Sequence, residues 1–510
     1  MEAINVGFLS LLPPLIAIVL ALATKEVISS LTIGILSGAF IYAINSPMTN
    51  GVIGTVFDGT FFALTNRFSV YIIIFLAILG ALVYVITRAG GSKAYGEWAT
   101  KKIKTRVGAQ LSTCVLGMLI FIDDYFNCLT VGTVMNPVTD KYKISRVKLA
   151  YLIDSTAAPI CIIAPISSWA ASVIVYMEGT GMNGMTAFLQ SIPYNLYAVL
   201  TIVMVIVMSL TNLEFGPMAK YEKLAREKGD LSIVNPTIHQ EDEQGSSKGN
   251  VMDLVLPILS LVIFSIIAML YVGGYFGGNM SIFEALGNTD AAVAITYGAF
   301  AALIFTFALF VPRKLLSFKE FMSGIGNGIG TMTQAFIILT LAWGMSTVCR
   351  DMLSTGEYVG NIVSTSNIAP SLIPAIIFIV AAFLSFSMGT SWGTFGILIP
   401  IIISICDAIA PELMIISLSA TLAGSVFGDH CSPISDTTIL SSTGANCDHI
   451  VHVTTQMYYS VLVAVCCVAG YLVAGFTRNI YLTLIISTVM LLIILKVLHM
   501  KSEKELSAEN

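Results

Sequence analysis

The chain has 510 residues, of which 56% are hydrophobic and only 11% are charged, and its formal net charge is −5. Soluble globular proteins carry roughly 25% charged residues, so this composition excludes an ordinary soluble domain. Repeated apolar stretches about 20 residues long instead predict an all-α polytopic membrane protein in a lipid bilayer. The nine cysteines are scattered, several of them within apolar stretches, which indicates small apolar residues rather than a disulfide framework.

The distribution of basic residues predicts how the chain crosses the membrane. With the N-terminus outside and the C-terminus cytoplasmic, the positive-inside rule places all but three of the 25 Lys and Arg residues on the cytoplasmic side. We therefore expect a multi-pass protein of the cell membrane. About eleven spanning helices are predicted, near residues 5–23, 29–45, 69–87, 147–178, 194–212, 253–274, 291–311, 332–348, 413–443, 456–475 and 480–498.

One apolar stretch, 108–138, does not fit a simple crossing. It lies between two basic segments, 88–107 and 140–148, which the charge rule places on the same side. A single helix of this length would measure roughly 46 Å, too long for a hydrocarbon core about 30 Å thick, and two full spans would need about 40 residues. The stretch therefore predicts a re-entrant hairpin whose turn lies at 123–127.

A broken helix is predicted after this hairpin, and the same order recurs in the second half. Segment 147–178 is interrupted by prolines, and residues 371–410 form a second apolar pair. This pair is a second predicted hairpin, although its length alone would also allow two full spans. Segment 413–443, the second broken helix, is interrupted by FGDHCSPISDTT. His449 and His452 follow it and are expected to be solvated. This shared order, with turns of opposite charge, predicts two inverted repeats, which are typical of secondary transporters.

Ionisable and hydroxyl side chains concentrate at these interruptions. Polar groups at membrane depth are costly and usually have a function there. Oxygen ligands suit a small cation, and a carboxylate can exchange that cation for a proton. The candidate binding residues are Asp123, Asp124, Asn127, Asp154, Ser167, Ser168, Ser387, Thr390, Ser391, Thr394, Asp429, His430, Ser432, Ser435, Asp436 and Thr437. Of these, Asp124, Asp429 and Asp436 are the candidate Na⁺ ligands.

Several of these residues also have a simpler interpretation. Ser and Thr in membrane helices commonly bond to their own backbone or to a neighbouring helix. One of the two adjacent aspartates at the first turn could cap a helix. Asp154 could pair with Lys148 or Arg146, and His430 could be a ligand, a proton relay or a packed neutral ring.

At these residues the chain resembles the NhaC family of sodium/proton antiporters, within the wider ion-transporter superfamily. The matching stretches are FIDDYFNCLTVGTVMNPVTDKYKISRVKLAYLIDSTAAPICIIAPISSW at 121–169 and FGDHCSPISDTTILSSTGANCDHIVHVTTQ at 427–456. The resemblance implies a scaffold, a mobile transport domain with elevator-type movement, and a homodimer. The expected division is a first repeat 1–212 (scaffold helices 1–107, transport elements 108–178), a cytoplasmic linker 213–250 with no fold of its own, a second repeat 251–500 (scaffold helices 251–350 and 456–498, transport elements 371–443), and a tail 501–510.

The sequence therefore predicts a secondary active transporter without enzymatic activity. The first hypothesis is Na⁺/H⁺ antiport by alternating access, in which the two ions compete for intramembrane carboxylates. The alternative is a Na⁺- or H⁺-coupled transporter of a small organic acid or amino acid, with Trp169 and Trp392 lining the solute pocket. A membrane enzyme is disfavoured because the basic residues are sorted to the loops. We expect no cofactor besides the transported Na⁺ and H⁺, and no nucleic-acid partner.

Overall fold

The computed structural model describes the chain except residues 2, 25, 47–50, 67–69, 122–123, 178–182, 212, 232–248, 279–281, 283–284, 286–287, 356–357, 359–368, 434 and 509–510. The described residues are all-helical, with no strand among them. In chain order the α-helices are α1 Leu12–Thr24, α2 Val27–Asn45, α3 Gly51–Asn66, α4 Val70–Arg88, α5 Gly91–Lys102, α6 Arg106–Leu119, α7 Asp124–Lys141, α8 Arg146–Cys161, α9 Ser168–Met177, α10 Gly184–Ser191, α11 Leu196–Thr211, α12 Gly216–Lys228, α13 Met252–Val272, α14 Ala291–Phe310, α15 Phe318–Thr331, α16 Thr333–Thr347, α17 Ile373–Met388, α18 Ser391–Ile409, α19 Met414–Cys431, α20 Asp436–Ala445, α21 His449–Thr477 and α22 Ile480–Ala508.

Within the described residues, eight helices are long and apolar enough to cross a membrane. The expected number was about eleven, and three expected segments lack a helix of that length. In the first and the eighth segments, 5–23 and 332–348, α1 has 13 residues and α16 has 15, fewer than the roughly 20 that a bilayer requires. Segment 147–178 is divided into α8 and α9, so the predicted number of spans is not confirmed.

The chain is interrupted between α6 and α7, between α8 and α9, between α17 and α18, and between α19 and α20. These are the segments in which the sequence predicted two turns and two breaks. The first turn differs from the prediction because α7 already begins at Asp124. A carboxylate in the first turn of a helix is stabilised by the positive end of the helix dipole, which favours helix rather than turn at this residue.

Two helices from different halves of the chain are almost entirely buried. All 16 residues of α8 are buried, and so is nearly every residue of α19. Gly424 and Gly428 lie one turn apart on α19, and a Cβ on either would lie within 2.4 Å of the α17 backbone. Small residues at this spacing allow helix backbones to approach closely. Similarly, α20 packs against α7 where Gly132 meets Gly444, so helices from the two halves of the chain are in contact.

The expectation that 213–250 has no fold of its own is wrong for its first part. Helix α12 packs against α8, α21 and α22, and its Glu222 is buried. Glu222 forms ion pairs with Arg106 and Lys148 and accepts a hydrogen bond from the Ser145 N–H at 2.8 Å. Buried charges are stable when they are paired, so these long-range ion pairs explain why a polar segment folds. Residues 232–248 of the expected linker lie outside the described residues.

The contact between Gly132 and Gly444 gives a prediction about stability. A Cβ at Gly132 would lie 2.4 Å from the Gly444 carbonyl carbon, so Gly132→Ala should destabilise the protein by about 1–3 kcal/mol. Gly326 is the matched control because it is also helical and no atom lies within 4 Å of its added Cβ. Gly326→Ala should be neutral or stabilising by up to about 1 kcal/mol.

Thermal unfolding of the detergent-solubilised variants checks this prediction. A thiol-reactive dye is suitable because all nine cysteines are buried thiols outside any disulfide. Equal melting temperatures for the two variants would mean that the close helix approach is not a constraint on the fold.

Candidate functional site

A buried carboxylate lies where the end of α19 meets the starts of α18 and α20. Asp429, near the end of α19, accepts hydrogen bonds through Oδ2 from Ser391 Oγ at 3.1 Å and Thr437 Oγ1 at 3.2 Å. The Ser435 and Thr437 hydroxyls are 3.1 Å apart. All four side chains are buried, and we call them the Asp429 cluster. It is built from one carboxylate and three hydroxyls, which are the oxygen ligands that hard cations prefer.

Helix ends place these side chains together. Ser391 is the first residue of α18, and Thr437 is the second residue of α20. The N-termini of both helices therefore lie beside Asp429, and their dipoles favour negative charge there. Ser435 caps α20 because its hydroxyl accepts a hydrogen bond from the Thr438 N–H at 3.2 Å. The arrangement stabilises an ionised carboxylate while leaving hydroxyl oxygens beside it.

A second buried carboxylate, Asp154 on α8, lies among imidazoles. Its Oδ2 accepts a hydrogen bond from Gln456 Nε2 at 2.5 Å and lies 3.4 Å from His452 Nε2. Its Oδ1 accepts a hydrogen bond from Ser441 Oγ at 3.2 Å and lies 3.9 Å from His430 Nε2. These five residues, all buried, form the Asp154 cluster. It joins helices from both halves of the chain around one carboxylate.

The two clusters share α19 and α20. Asp429 and His430 are consecutive residues that belong to different clusters. Thr437 and Ser441 are four residues apart on α20 and so lie on one face of that helix. Gln456 Nε2 also donates a hydrogen bond to the His430 carbonyl at 3.0 Å. The two clusters are therefore connected directly, through α19, α20 and the hydrogen bond from Gln456 to His430.

Sequence reasoning missed His452 and Gln456, and its expectation that His452 is solvated is wrong. The predicted span began at 456, whereas α21 begins at His449, and His452 is fully buried. The four-residue spacing of His452 and Gln456 places both on one helix face, which was the available signal. The suggested partners of Asp154 are also wrong, because Lys148 pairs with Glu214 and Arg146 pairs with Asp140.

Two predicted site residues satisfy backbone groups at the interruptions of the first half. Asn127 Nδ2 lies 2.7 Å from the Gly117 carbonyl and 2.9 Å from the Ile120 carbonyl, at the end of α6. It also lies 3.1 Å from the Thr156 carbonyl of α8. The Ser167 hydroxyl accepts a hydrogen bond from the Ala170 N–H at 3.0 Å and so caps α9. Asn127 therefore ties the first interruption to α8, and Ser167 stabilises the start of α9.

Four other predicted residues, Asp124, Thr390, Thr394 and Ser432, are also buried. Asp124 begins α7, and Thr394 donates a hydrogen bond to the Thr390 carbonyl one turn earlier on α18. The Ser432 carbonyl accepts a hydrogen bond from Thr438 Oγ1 at 3.2 Å. Asp123 and the side chains of Ser168, Ser387 and Asp436 lie outside the described residues.

The predicted Na⁺ ligand set of Asp124, Asp429 and Asp436 stays a prediction. In the part of the chain that the structure describes, no three His, Cys, Asp or Glu side chains are grouped as a metal site. The Asp429 cluster, with one carboxylate and several hydroxyls, does not require such a group.

Three aromatic rings lie together just after two of the interruptions. Trp169 is the second residue of α9, and Trp392 is the second residue of α18. Their ring centroids are 5.6 Å apart, and each lies 5.6 Å from the Phe395 ring. The two tryptophans that the sequence suggested for a solute pocket are therefore neighbours.

Comparisons with known proteins place the chain among membrane transporters. A model described as the Na+/H+ antiporter family matches residues 160–476. A protein of Haemophilus influenzae described as uncharacterized is 40% identical over 488 residues, which are 92% of this chain and 91% of that protein. The malate-2H(+)/Na(+)-lactate antiporter of Bacillus subtilis is 28% identical over 205 residues, which are 36% of this chain and 43% of that protein.

Two solved transporters share the fold. The YdaH transporter of Alcanivorax borkumensis has a TM-score of 0.57 at 11% identity, over 89% of this chain and 99% of that one. MtrF of Neisseria gonorrhoeae, described among antimetabolite efflux pumps, has a TM-score of 0.50 at 12% identity, over 88% and 95%. At a sequence identity of 11–12%, the similarity to these two proteins shows a shared fold and nothing about function. Because the family model spans more than half of the sequence, this chain belongs to the Na+/H+ antiporter family.

Proposed function

We propose that this protein is a Na⁺/H⁺ antiporter in which the Asp429 cluster binds Na⁺. The observation that supports this most directly is the group of oxygen atoms beside Asp429. The hydroxyls of Ser391 and Thr437 both lie within hydrogen-bonding distance of the carboxylate. Na⁺ is a hard cation and prefers such ligands. One buried carboxylate neutralises one Na⁺, so the occupied cluster carries no net charge in a low-dielectric interior.

Antiport requires that the site opens to each side of the membrane in turn. The proposal therefore includes alternating access with elevator-type movement. It also includes two inverted repeats, a homodimer, and insertion in the cell membrane with the C-terminus in the cytoplasm. Alternating access is the part that the interrupted helices bear on most directly. It is supported by the interrupted helices, since irregular backbone at membrane depth is tolerated where it is buried or lines a cavity. Interrupted helices beside the ion are also a recurrent feature of secondary transporters.

The first test removes the charge at Asp429, in the proposed site, and at Asp124, the other described aspartate of the predicted Na⁺ ligand set. Asp429→Asn and Asp124→Asn should each abolish Na⁺-driven proton movement, because an amide cannot neutralise a bound cation. Asp290→Asn is the matched control, since Asp290 caps α14 through the Val293 N–H and asparagine caps equally well. The measurement uses liposomes that contain a pH dye, an imposed proton gradient and added Na⁺, Li⁺ or K⁺. A normal rate in Asp429→Asn would refute Na⁺ binding by the Asp429 cluster, and a normal rate in Asp124→Asn would remove Asp124 from the predicted ligand set.

The second test concerns the hydroxyl ligands. Ser391→Ala and Thr437→Val each remove one oxygen atom but leave the carboxylate. Hydrogen bonds and ligand contacts to a charged group contribute about 1.5–3 kcal/mol, so the half-saturating Na⁺ concentration should rise roughly tenfold or more. The maximal rate should change much less. Thr340→Val is a suitable control, because Thr340 only bonds one turn back along α16. An unchanged Na⁺ dependence in both site variants would exclude these hydroxyls as ligands.

A second candidate function is coupled transport of a small organic acid or amino acid. It is supported by the contact between Trp169, Trp392 and Phe395, which provides an aromatic wall next to Ser391 of the Asp429 cluster. The name of the Bacillus subtilis relative includes two organic acids besides Na⁺ and H⁺.

The two candidates differ in what the liposome experiment requires. Dissipation of the proton gradient by Na⁺ or Li⁺ alone supports simple antiport. A response only after organic or amino acids are added would support the second candidate. In that case Trp392→Ala should lower the organic-solute flux about fivefold, because an aromatic contact is worth about 1 kcal/mol beyond its buried area. Equal solute flux in Trp392→Ala and the unaltered protein would exclude the aromatic wall as the solute site.

A further inference from the structure

A pocket rich in basic residues lies outside the two clusters, where α4 ends and α15 begins. Its volume is about 500 Å³, which is within the range of pockets that bind small ligands. Its lining includes three cationic side chains, Arg88, Lys314 and Lys319, and the hydroxyls of Tyr84 and Ser323. The predicted topology places the three cations on the cytoplasmic side of the membrane. We call this site the basic pocket.

The basic pocket carries an excess of positive charge. Among the described residues that line it, Glu320 is the one carboxylate, so three positive charges stand against one negative charge. Glu320 is also engaged at the start of α15, where its Oε2 atom accepts a hydrogen bond from the Ser317 N–H at 2.7 Å. The nearby Arg313 is instead paired with Asp253. The remaining charge favours an anionic ligand.

One of the three cations, Lys314, lies at a backbone position that ordinarily takes glycine. Its φ is +56°, and its N–H donates a hydrogen bond to the Val311 carbonyl at 3.0 Å. The Leu315 N–H donates to the Phe310 carbonyl at 3.1 Å, which closes the end of α14. Glycine fits such a left-handed position without strain, whereas lysine does not. The backbone cost is explained if the lysine side chain has a function in the pocket.

An apolar surface adjoins the basic pocket. Phe318 and Met322 on α15 are 58% and 47% exposed. Each is followed by a residue that lines the pocket, Lys319 and Ser323. Consecutive helix residues point about 100° apart, so the apolar face of α15 borders the pocket. A ligand that fits both surfaces combines an anionic group with apolar chains, and basic pockets between helices on the cytoplasmic side are suited to acidic lipid head groups.

We propose that the basic pocket binds the head group of an anionic phospholipid, whose phosphate is held by Arg88, Lys314 and Lys319. The acyl chains lie along the exposed apolar face of α15. Because Asn327 Nδ2 donates a hydrogen bond to Tyr84 Oη at 3.1 Å, the Tyr84 hydroxyl keeps its own proton for a phosphate oxygen. This site shares no residue with the Asp429 or Asp154 cluster, and it does not depend on which ion or solute is transported.

The test measures lipid binding directly, on full-length protein in dodecyl maltoside with tritiated phosphatidylglycerol. The wild type should retain the label through gel filtration, and unlabelled phosphatidylglycerol should displace it. Phosphatidylcholine with the same acyl chains should displace it at least about tenfold less well, because its head group has no net charge. Equal competition by the two lipids would indicate a purely apolar contact, and displacement by inorganic phosphate at similar concentrations would indicate a free-anion site. Either result, or no retained label, would overturn the proposal.

Two variants locate the binding. Arg88→Gln/Lys319→Gln should weaken phosphatidylglycerol binding at least about tenfold, because charge-assisted hydrogen bonds to phosphate are strong. Lys102→Gln/Lys104→Gln is the matched control, since it removes the same charge from two exposed residues outside the pocket. Binding by the control should stay within about twofold of the wild type, because solvated surface charges contribute little.

Lys314→Gly is the variant that should fold at least as well as the wild type. Glycine suits the left-handed backbone, so the melting temperature should be unchanged or higher. Phosphatidylglycerol binding should nevertheless weaken about fivefold or more, because one cation near the phosphate is lost. Wild-type affinity in both this variant and Arg88→Gln/Lys319→Gln would overturn the proposal. An equal loss in the Lys102→Gln/Lys104→Gln control would do so too, because it would indicate general surface charge.

Discussion

The structure depends on satisfying the backbone groups that four helix interruptions leave without helical partners. In a membrane protein no water is available for them in the lipid, so each interruption must lie within protein and find its own hydrogen bonds. Asn127 supplies these bonds at the end of α6, and Ser167 and Ser435 supply them at the starts of α9 and α20. At the second break, His449 Nε2 lies 2.7 Å from the Pro433 carbonyl. Many hydroxyls at the interruptions therefore serve the backbone, and only the few that remain are free to contact an ion.

This constraint explains which part of the site could be read from the sequence. Pro, Gly and polar residues inside apolar stretches mark the interruptions whatever the tertiary structure, so the breaks in both halves were predictable. Asp429, Ser391 and Thr437 lie at those breaks and were found for the same reason. Asp436 and Asp123 were predicted by the same signal and are not described by the structure. The family was likewise predictable, because its motif coincides with the second break.

The partners of Asp154 could not be predicted, because they come from distant parts of the chain. Gln456 lies 302 positions away, and a pattern of spacing within one helix says nothing about such a contact. Helix α12 was missed for a related reason. Its charges look solvated in the sequence, and only the fold brings Lys148 to Glu214 and Glu222. Local pattern thus predicts where a helix stops, whereas long-range pairing decides which charges are buried.

The geometry of α19 and α20 explains how two sites with different chemistry can be close without being one site. Consecutive residues on a helix point about 100° apart, so Asp429 faces the hydroxyls while His430 faces Asp154. Residues four apart point the same way, so Thr437 and Ser441 extend one face of α20 past both carboxylates. Gly444, on the same short helix, is packed directly against Gly132 of α7. Any displacement of α20 therefore alters the surroundings of Asp429, Asp154 and α7 together, because one helix contacts all three.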